Sequence, residues 1–399
     1  MIDKILISLF IVSPKIGLFD LSILAMLVHV GLALSSALGS YRPNTALDKR
    51  IVVASFFMFL LFFLAILSFF INGAYDFDEQ FLFKPIRIIL ILMIYYFIFN
   101  QRKLTTDNIL KAIVLAALIN AVVIYIQYYG SFIGVSSTFL QNPNFSESVI
   151  TPYRKAGMMS GFPVAGLLSF CGAMICFHFY LKSNSYKYLA LYLFIGLTCF
   201  VTARTAMMLF FLGTMAYILI LVFKKGKIGS FALFTTLFLV ALIYISNSTN
   251  DVIAKTRDKM FANVINYVTT GDANDYSTND LLTNHYVFPT DFKTFIFGNS
   301  IPSEKNIVNT DVSFFRITWN NGFIAMLIYV FSYLFIWRST VKSLRGEYLN
   351  KLIVSIIFMG VFVSNFKGFY FFSRVIGDIT MLLFIISVSV THVNSRDHK

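Results

Sequence analysis

Residues 51–71 read IVVASFFMFLLFFLAILSFFI, a stretch without a single charged side chain. As a helix, a stretch of about 20 residues is about 30 Å long, which matches the hydrocarbon thickness of a bilayer. The stretch lacks the alternation of polar and apolar residues that is typical of outer-membrane strands, so its backbone hydrogen bonds must be satisfied within the segment. It therefore predicts a membrane-spanning α-helix.

Similar apolar stretches occur on both sides of this one. The chain is 58% hydrophobic and 13% charged, with a mean hydropathy of +0.76, which excludes an ordinary soluble domain. We predict an all-α, polytopic integral membrane protein with about twelve transmembrane helices and one large periplasmic loop. The other eleven spans are predicted at 4–13, 19–38, 84–100, 108–129, 162–181, 187–203, 206–223, 228–246, 312–337, 350–365 and 371–391.

The basic residues predict the orientation of these spans, because short cytoplasmic loops carry an excess of Lys and Arg. With both termini in the cytoplasm, every short inner loop is basic, and acidic residues collect in the outer segments. The net charge of +13 is then a topology signal and does not indicate binding to nucleic acid. No cleavable signal peptide is evident, so the first span is expected to remain as an anchor. The inner loops contain Arg42, Lys49 and Arg50, then Arg102 and Lys103, Lys182 and Lys187, Lys224, Lys225 and Lys227, and finally Arg338, Lys342, Arg345 and Lys351.

The predicted spans divide the chain into three parts. Residues 1–246 form an N-terminal group of helices, residues 247–311 form a large periplasmic loop, and residues 312–399 form the C-terminal helices and a cytoplasmic tail. Within the large loop, residues 252–268 have the spacing of an amphipathic surface helix, and the polar run at 271–280 predicts a loop or lid.

Cations are predicted at the outer ends of several spans, where positive charge opposes the insertion bias and is costly near hydrocarbon. Such a set is suited to a diphosphate, since arginine binds phosphate oxygens with two parallel hydrogen bonds. The alternative for each residue is a structural role, either reaching lipid headgroups or pairing with a carboxylate, and we favour that role slightly for Arg87 and Lys84. The set comprises Arg87, Arg154, Arg204, Arg316, Lys367 and Arg374.

Two of these cations have informative surroundings. Arg204 lies in VTARTAMM at 201–208, a turn so tight that the arginine must lie close to the start of the next helix, where free N–H groups attract anions. Arg154 opens RKAGMMSGFPVAG at 154–166, where small residues would let backbone approach a ligand.

Few groups are candidates for acid or base chemistry. Asp311 and His285 come first, followed by Glu147 and Glu304, whereas we expect Asp378 and Asp20 to pair with basic residues. The chain has no metal-ligand spacing and no nucleotide-binding motif, so no metal and no cofactor is indicated. The three cysteines, at 171, 176 and 199, are interpreted as buried apolar residues.

Three segments resemble the superfamily of O-antigen polymerases (Wzy) and O-antigen ligases, whose fold is of the GT-C-like membrane type. They are residues 154–166, residues 201–208, and FIFGNSIPSEKNIVNTDVSFFRITWNNGFIAML at 295–327. The resemblance implies a metal-independent glycosyltransferase of the bacterial inner membrane with its active site facing the periplasm. It would transfer a growing glycan from undecaprenyl diphosphate to a new lipid-linked repeat unit, in lipopolysaccharide biosynthesis. The implied partners are the undecaprenyl-diphosphate-linked oligosaccharide donor and acceptor and membrane lipid, with a chain-length regulator protein as an optional partner.

The resemblance also implies roles for particular residues. Arginines of the outer loops are important in the family, and the matching positions are Arg154, Arg204 and Arg316. We predict Asp311, Arg204, Arg316 and His285 as catalytic and Arg154, Arg204, Arg316, Lys367 and Arg374 as substrate-binding, with Asp311 accepting the proton of the acceptor hydroxyl. Ligases tend to carry a His-Asn pair where this chain has Thr310 and Asp311, which favours a polymerase and leaves the assignment of the general base open. An O-antigen ligase, a capsule polymerase of the same fold and a non-enzymatic flippase for lipid-linked oligosaccharides remain alternatives.

Overall fold

The computed structural model describes residues 1–16, 19–39, 47–73, 77–130, 154–225, 236, 247, 254, 281–302, 305–306, 310, 312–344 and 348–396. Two short strands, β1 (Lys15–Ile16) and β2 (Phe19–Asp20), pair with each other, and a π-helical turn covers Leu281–His285. The helices of the described residues are α1 (Ile2–Val12), α2 (Leu21–Gly39), α3 (Lys49–Asn72), α4 (Gln80–Arg102), α5 (Thr106–Gly130), α6 (Phe162–Ser183), α7 (Tyr186–Thr202), α8 (Arg204–Lys225), α9 (Phe292–Phe297), α10 (Ser313–Asn321), α11 (Phe323–Ser343), α12 (Tyr348–Ser364) and α13 (Ile376–Arg396).

The prediction of an α-helical membrane protein is confirmed at the level of its helices. Among the described residues, α2 to α6 and α11 are long and apolar enough to cross a membrane. Shorter apolar helical stretches are α7, α12, Arg204–Ile220 of α8 and Ile376–Ser389 of α13. Apart from residues 236 and 254, the predicted span at 228–246 and the amphipathic helix at 252–268 lie outside the described residues. The count of twelve and the periplasmic loop therefore remain predictions.

The predicted span at 4–13 agrees with α1 to within two residues, and a helix of 11 residues extends only about 16 Å. Another predicted span differs from the observed helices. The predicted span at 312–337 is two helices, because the chain breaks at Gly322, whose φ of 90° lies outside the helical region. Helix α10 ends at this break and α11 begins directly after it.

The described residues separate into two compact units. The first contains residues 1–13, 20–113 and 277–399, so the C-terminal helices pack with the N-terminal ones. In it α3 packs against α4 and α11, and α13 packs against α4 and α11. Near the start of α1, Asp3 pairs with Arg102 at 2.9 Å and with His29 at 3.2 Å, which ties α1 to α4 and α2.

The second unit contains residues 14–19 and 114–276, and its described helices are the greater part of α5 together with α6, α7 and α8. Helix α6 is buried on nearly every face and packs against both α7 and α8. Small residues allow the close approach: a Cβ added at Gly166 would lie 2.5 Å from Cβ of Ala206, and one at Gly172 would lie 2.2 Å from Cβ of Ala117. The three cysteines are buried here with free thiols, as predicted.

Candidate anion-binding site

The chain between α12 and α13, residues 365–375, forms a turn that is organised by one buried side chain. Asn365 Oδ1 accepts four hydrogen bonds, from Ser313 Oγ at 2.8 Å, from the Tyr329 hydroxyl at 2.9 Å, and from the backbone N–H groups of Tyr370 at 3.1 Å and Phe371 at 3.3 Å. The amide of Asn365 therefore joins the 365–375 turn to the start of α10 and to α11.

At the C-terminal end of α10 two backbone segments cross in close contact, and each carries a glycine at the crossing, Gly298 and Gly322. Gly298 has a φ of 74°, and a Cβ there would lie 2.1 Å from the carbonyl oxygen of Asn320. A Cβ at Gly322 would lie 1.9 Å from the carbonyl oxygen of Ile296. Only glycine combines this backbone conformation with this close approach, which explains the Phe-Gly and Asn-Gly pairs of the 295–327 segment.

Backbone hydrogen bonds continue this crossing. The N–H of Asn299 donates to the Trp319 carbonyl at 2.8 Å, and the N–H of Ser300 donates to the Asn320 carbonyl at 2.9 Å. Ser68 of α3 lies beneath the crossing and bonds the Ser300 hydroxyl at 2.6 Å. The position of α10 is thus fixed by main-chain contacts at one end and by Asn365 at the other.

Arg316 projects from the middle of α10 into a half-buried aromatic environment. Its Nη2 lies 3.3 Å from Oδ2 of Asp78, and the Arg316 and Asp78 side chains are 18% and 4% exposed. The guanidinium carbon lies 5.9 Å from the centre of the Phe81 ring and 5.8 Å from that of Phe369. Its Nε is buried and has no hydrogen-bond partner among the described residues.

Lys84, one turn into α4, places a second cation on the same ring. Its Nζ lies 4.6 Å from the centre of Phe369 and donates to Oε1 of Gln80 at 2.7 Å. Pro85 follows it and leaves the carbonyl of residue 81 without its usual helical donor. We call Lys84, Arg316, Phe81, Phe369 and Asp78 the Lys84–Arg316 site.

Two of the other predicted cations pair with carboxylates on either side of the 365–375 turn. Arg87 pairs with Asp378, and Arg374 pairs with Asp20. Both carboxylates were expected to have basic partners, and this is confirmed. These pairs neutralise Arg87 and Arg374, so the structure gives both arginines a role in holding α4, α13 and the start of α2 together.

Asp20 is also the residue directly before α2, and its side chain caps the start of that helix. Its Oδ1 accepts from the backbone N–H of Ser22 at 3.0 Å and from the Ser22 hydroxyl at 2.5 Å, which is the geometry of an N-cap. Burial raises the pKa of the Asp20 carboxyl, but the hydrogen bonds from Ser22 and Arg374 outweigh burial and hold the pKa below its usual value.

In the second unit, the segment of Arg154 lies beside the turn of Arg204. The N–H of Lys155 donates to the Val201 carbonyl at 2.9 Å, and α8 begins at Arg204, as the sequence predicts. The Arg154 guanidinium lies 6.0 Å from the centre of the Phe162 ring. Burial lowers the pKa of Lys155. The backbone segments that carry Arg154 and Arg204 are therefore adjacent.

The backbone at Gly157 in this segment packs closely against α5, so no ligand can approach it there. Gln127 of α5 both donates to and accepts from its backbone, at 3.0 Å and 2.9 Å. A Cβ at Gly157 would lie 2.2 Å from Oδ1 of Asn120. The expectation that a ligand approaches the backbone here is not met at Gly157, because Asn120 occupies that space.

The remaining predicted residues are less informative. Lys367 is exposed in the 365–375 turn, and the carbonyl of His285 accepts a hydrogen bond from Thr310 at 2.9 Å. Asp311, Glu147 and Glu304 lie outside the described residues, so their predicted roles remain predictions. No group of three or more His, Cys, Asp or Glu side chains suited to a metal occurs in the described part of the chain.

Sequence reasoning missed the contribution of Phe369, Phe81 and Asp78 and underrated Lys84. The sequence signal for Lys84 was its place at the start of an apolar span, six residues after Asp78, but nothing in the sequence shows that residue 369 would lie over it. No protein family and no curated protein matches this chain.

Proposed function

We propose that this protein is a membrane-embedded glycosyltransferase that polymerises lipid-linked repeat units of a surface polysaccharide, such as O-antigen. It would transfer the growing glycan from undecaprenyl diphosphate to a new undecaprenyl-diphosphate-linked unit at the periplasmic face of the bacterial inner membrane. The resemblance of three sequence segments supports this proposal, as do the six long apolar helices.

The observation that carries the proposal is the position of Arg316. It belongs to the 295–327 segment that resembles the family, and it is a half-buried guanidinium on a helix fixed at both ends. Lys84 adds a second positive charge over the ring of Phe369. A pair of cations held over one aromatic ring is suited to an anionic group.

The chemistry of glycan transfer gives such cations a function. Breaking the bond between the sugar and the phosphate leaves a diphosphate, whose negative charge grows in the transition state. Fixed donors stabilise this charge without a metal, and loss of one such donor typically slows a reaction about a hundredfold. In this scheme Asp311 accepts the proton of the attacking hydroxyl.

The ion pairs narrow the set of residues proposed to touch the diphosphate. Arg87 and Arg374 have carboxylate partners, and we assign them to stability. Arg316 also has a carboxylate partner, Asp78, but its distance of 3.3 Å is the longest of the described arginine–carboxylate pairs. We therefore keep Arg316 and Lys84 as the proposed phosphate-binding cations of the first unit, and Arg154, Arg204 and Lys367 stay candidates from the sequence.

The test uses a deletion strain that is complemented with variants and examined on a polysaccharide gel. Arg316→Ala and Arg204→Ala should each abolish long glycan chains while the protein still inserts at normal levels. Lys293→Ala removes an exposed lysine of α9 and should leave the ladder unchanged. A deletion strain with a single repeat on its lipopolysaccharide supports a polymerase. The absence of any repeat indicates a ligase or a flippase instead.

A further inference from the structure

The Lys84–Arg316 site carries more positive than negative charge. Two cations, Lys84 and Arg316, lie over the Phe369 ring, and one carboxylate, Asp78, pairs with Arg316. Within the described residues no carboxylate oxygen lies within 4.0 Å of Lys84 Nζ, whose hydrogen-bond acceptor is the neutral amide of Gln80. With Lys84 protonated, the described residues of the site therefore carry one more positive than negative charge.

Holding the additional positive charge at this site costs free energy. Removing an ammonium group from water without a counter-ion costs several kcal/mol, and a cation–π contact returns only about 0.5–2 kcal/mol. The two cations also repel each other, because both approach the same ring. An anion bound between them would relieve both the desolvation and the repulsion.

The single ion pair of the site is loose enough to be exchanged. The distance of 3.3 Å between Arg316 Nη2 and Asp78 Oδ2 exceeds the usual 2.7–2.9 Å of a charge-assisted hydrogen bond. Asp78 has other bonds that would hold it in place without Arg316: its Oδ1 accepts from the N–H of Gln80 at 3.0 Å, and its own N–H donates to the Ser300 carbonyl at 3.0 Å. The buried Nε of Arg316 has no partner among the described residues, so the guanidinium has donors to spare.

We propose that Lys84 and Arg316 jointly bind the phosphate group of a lipid, and that this group replaces Asp78 as the partner of Arg316. The ligand class is a lipid phosphate or diphosphate ester, either a polyprenyl diphosphate or a phospholipid headgroup. The inference rests on the proposed function in that it assigns Lys84 to the diphosphate of the lipid carrier. Asp78 is then a resident counter-ion that competes with the ligand.

The experiment measures binding of farnesyl diphosphate to the purified full-length protein in nanodiscs of phosphatidylcholine. Lys84→Met and Arg316→Met should each weaken binding about tenfold or more, because each removes a charge-assisted contact. Lys84→Arg should retain most of the affinity. Lys293→Met is the matched control and should bind as the wild type does, since this exposed lysine lies on α9 and outside the site.

Asp78→Asn tests the exchange directly. The asparagine keeps the acceptor for the N–H of Gln80 and removes the competing charge, so farnesyl diphosphate should bind several-fold more tightly. A weaker affinity in this variant would overturn the exchange, because it would mean that Asp78 only positions Arg316. Thermal unfolding of each variant shows whether it is folded, and Lys84→Gln replaces Lys84→Met if the latter unfolds.

Native mass spectrometry in nanodiscs that contain phosphatidylglycerol distinguishes the two sources of phosphate. If Lys84→Met keeps its affinity for farnesyl diphosphate but loses retained phosphatidylglycerol, the site holds a headgroup and the phosphate assignment stands. If neither ligand changes relative to Lys293→Met, the proposal is wrong. The two proposals can fail separately. If farnesyl diphosphate binding depends on Lys84 but the wild-type gene does not restore polysaccharide to the deletion strain, the proposed function is wrong and this inference stands. If the gene restores polysaccharide but neither farnesyl diphosphate nor phosphatidylglycerol binding depends on Lys84, this inference is wrong and the proposed function stands.

Discussion

Lys84 and Arg316 lie over one aromatic ring, that of Phe369, with Nζ at 4.6 Å and the guanidinium carbon at 5.8 Å from its centre. The two cations come from α4 and α10, which are more than 200 residues apart in the chain. The ring belongs to the 365–375 turn. The turn thereby determines where the two charges meet.

Replacing the ring should weaken anion binding without removing a charge. Phe369→Leu keeps apolar volume but removes two cation–π contacts, each of about 0.5–1 kcal/mol or more. We expect farnesyl diphosphate to bind about threefold to fivefold more weakly, and Phe369→Tyr to bind nearly as the wild type does. Phe366→Leu is the control, because this ring lies in the same turn and packs against Phe314. An equal loss in both leucine variants would show that the effect comes from the turn and not from the ring.

The crossing of Gly298 and Gly322 should not tolerate a methyl group. At each glycine a Cβ would lie about 2 Å from a backbone carbonyl oxygen, and the φ is positive. Gly298→Ala and Gly322→Ala should each reduce the free energy of unfolding by about 3 kcal/mol or more, measured by denaturation in detergent micelles. Gly31→Ala is the control, because nothing lies within 4 Å of its Cβ position in α2. It should be neutral or stabilising by about 0.5–1 kcal/mol, and a comparable loss at Gly31 would contradict the steric explanation.

Asn365→Leu should weaken the connection of the 365–375 turn to α10 and α11. The substitution leaves the Tyr329 hydroxyl and two backbone N–H groups without their shared acceptor, and each unsatisfied buried group costs about 1–3 kcal/mol. The Ser313 hydroxyl keeps the Gly368 carbonyl as its acceptor. The expected result is a protein that unfolds at a much lower temperature. Ser332→Ala provides a comparison, because the Ser332 hydroxyl is buried and its bond stays within α11. The melting temperature of Ser332→Ala should change by only a few degrees.

The pair of Asp20 and Arg374 should make stability depend on pH in the acidic range. The folded-state pKa of Asp20 lies below its usual value, so the contribution is present above the unfolded-state pKa and is lost as the pH falls through the folded-state pKa. Asp20→Asn keeps the N-cap of α2 and removes the charge. Its unfolding free energy should be lower than that of the wild type at pH 7, and the difference should disappear at low pH.

A second variant separates the cap from the charge. Asp20→Ala loses both, so its difference from Asp20→Asn should be about 1 kcal/mol at every pH. Because the Arg374 side chain is 45% exposed, salt should reduce the charge contribution. A gap between wild type and Asp20→Asn that persists unchanged to low pH would contradict the linkage.

The sequence was sufficient for the helices and insufficient for the site. Apolar runs are long and local, so predicted spans such as 51–71 and 162–181 agree with α3 and α6 to within a few residues. The split of the 312–337 span was missed, because Gly322 breaks the helix through a contact with Ile296, and hydropathy carries no information about a crossing partner.

The site depends on contacts that no local pattern contains. Asp378 and Asp20 were expected to pair with basic residues, but their partners, Arg87 and Arg374, lie 291 and 354 residues away. Arg204 was located correctly at the start of a helix because that inference needs only its neighbours. The meeting of Lys84 and Arg316 requires the packing of α4 against the 365–375 turn, a contact between residues that lie far apart in the sequence.

The four bonds to the oxygen of Asn365 are all made by neutral groups. The hydrogen bonds that shape the turn around Asn365 therefore respond little to ionic strength or to acidification. The ion pairs beside the turn, Arg87–Asp378 and Arg374–Asp20, do respond to both. A salt titration of ligand affinity should therefore be compared with a salt titration of stability, so that weaker attraction of the ligand is separated from loosening of these pairs.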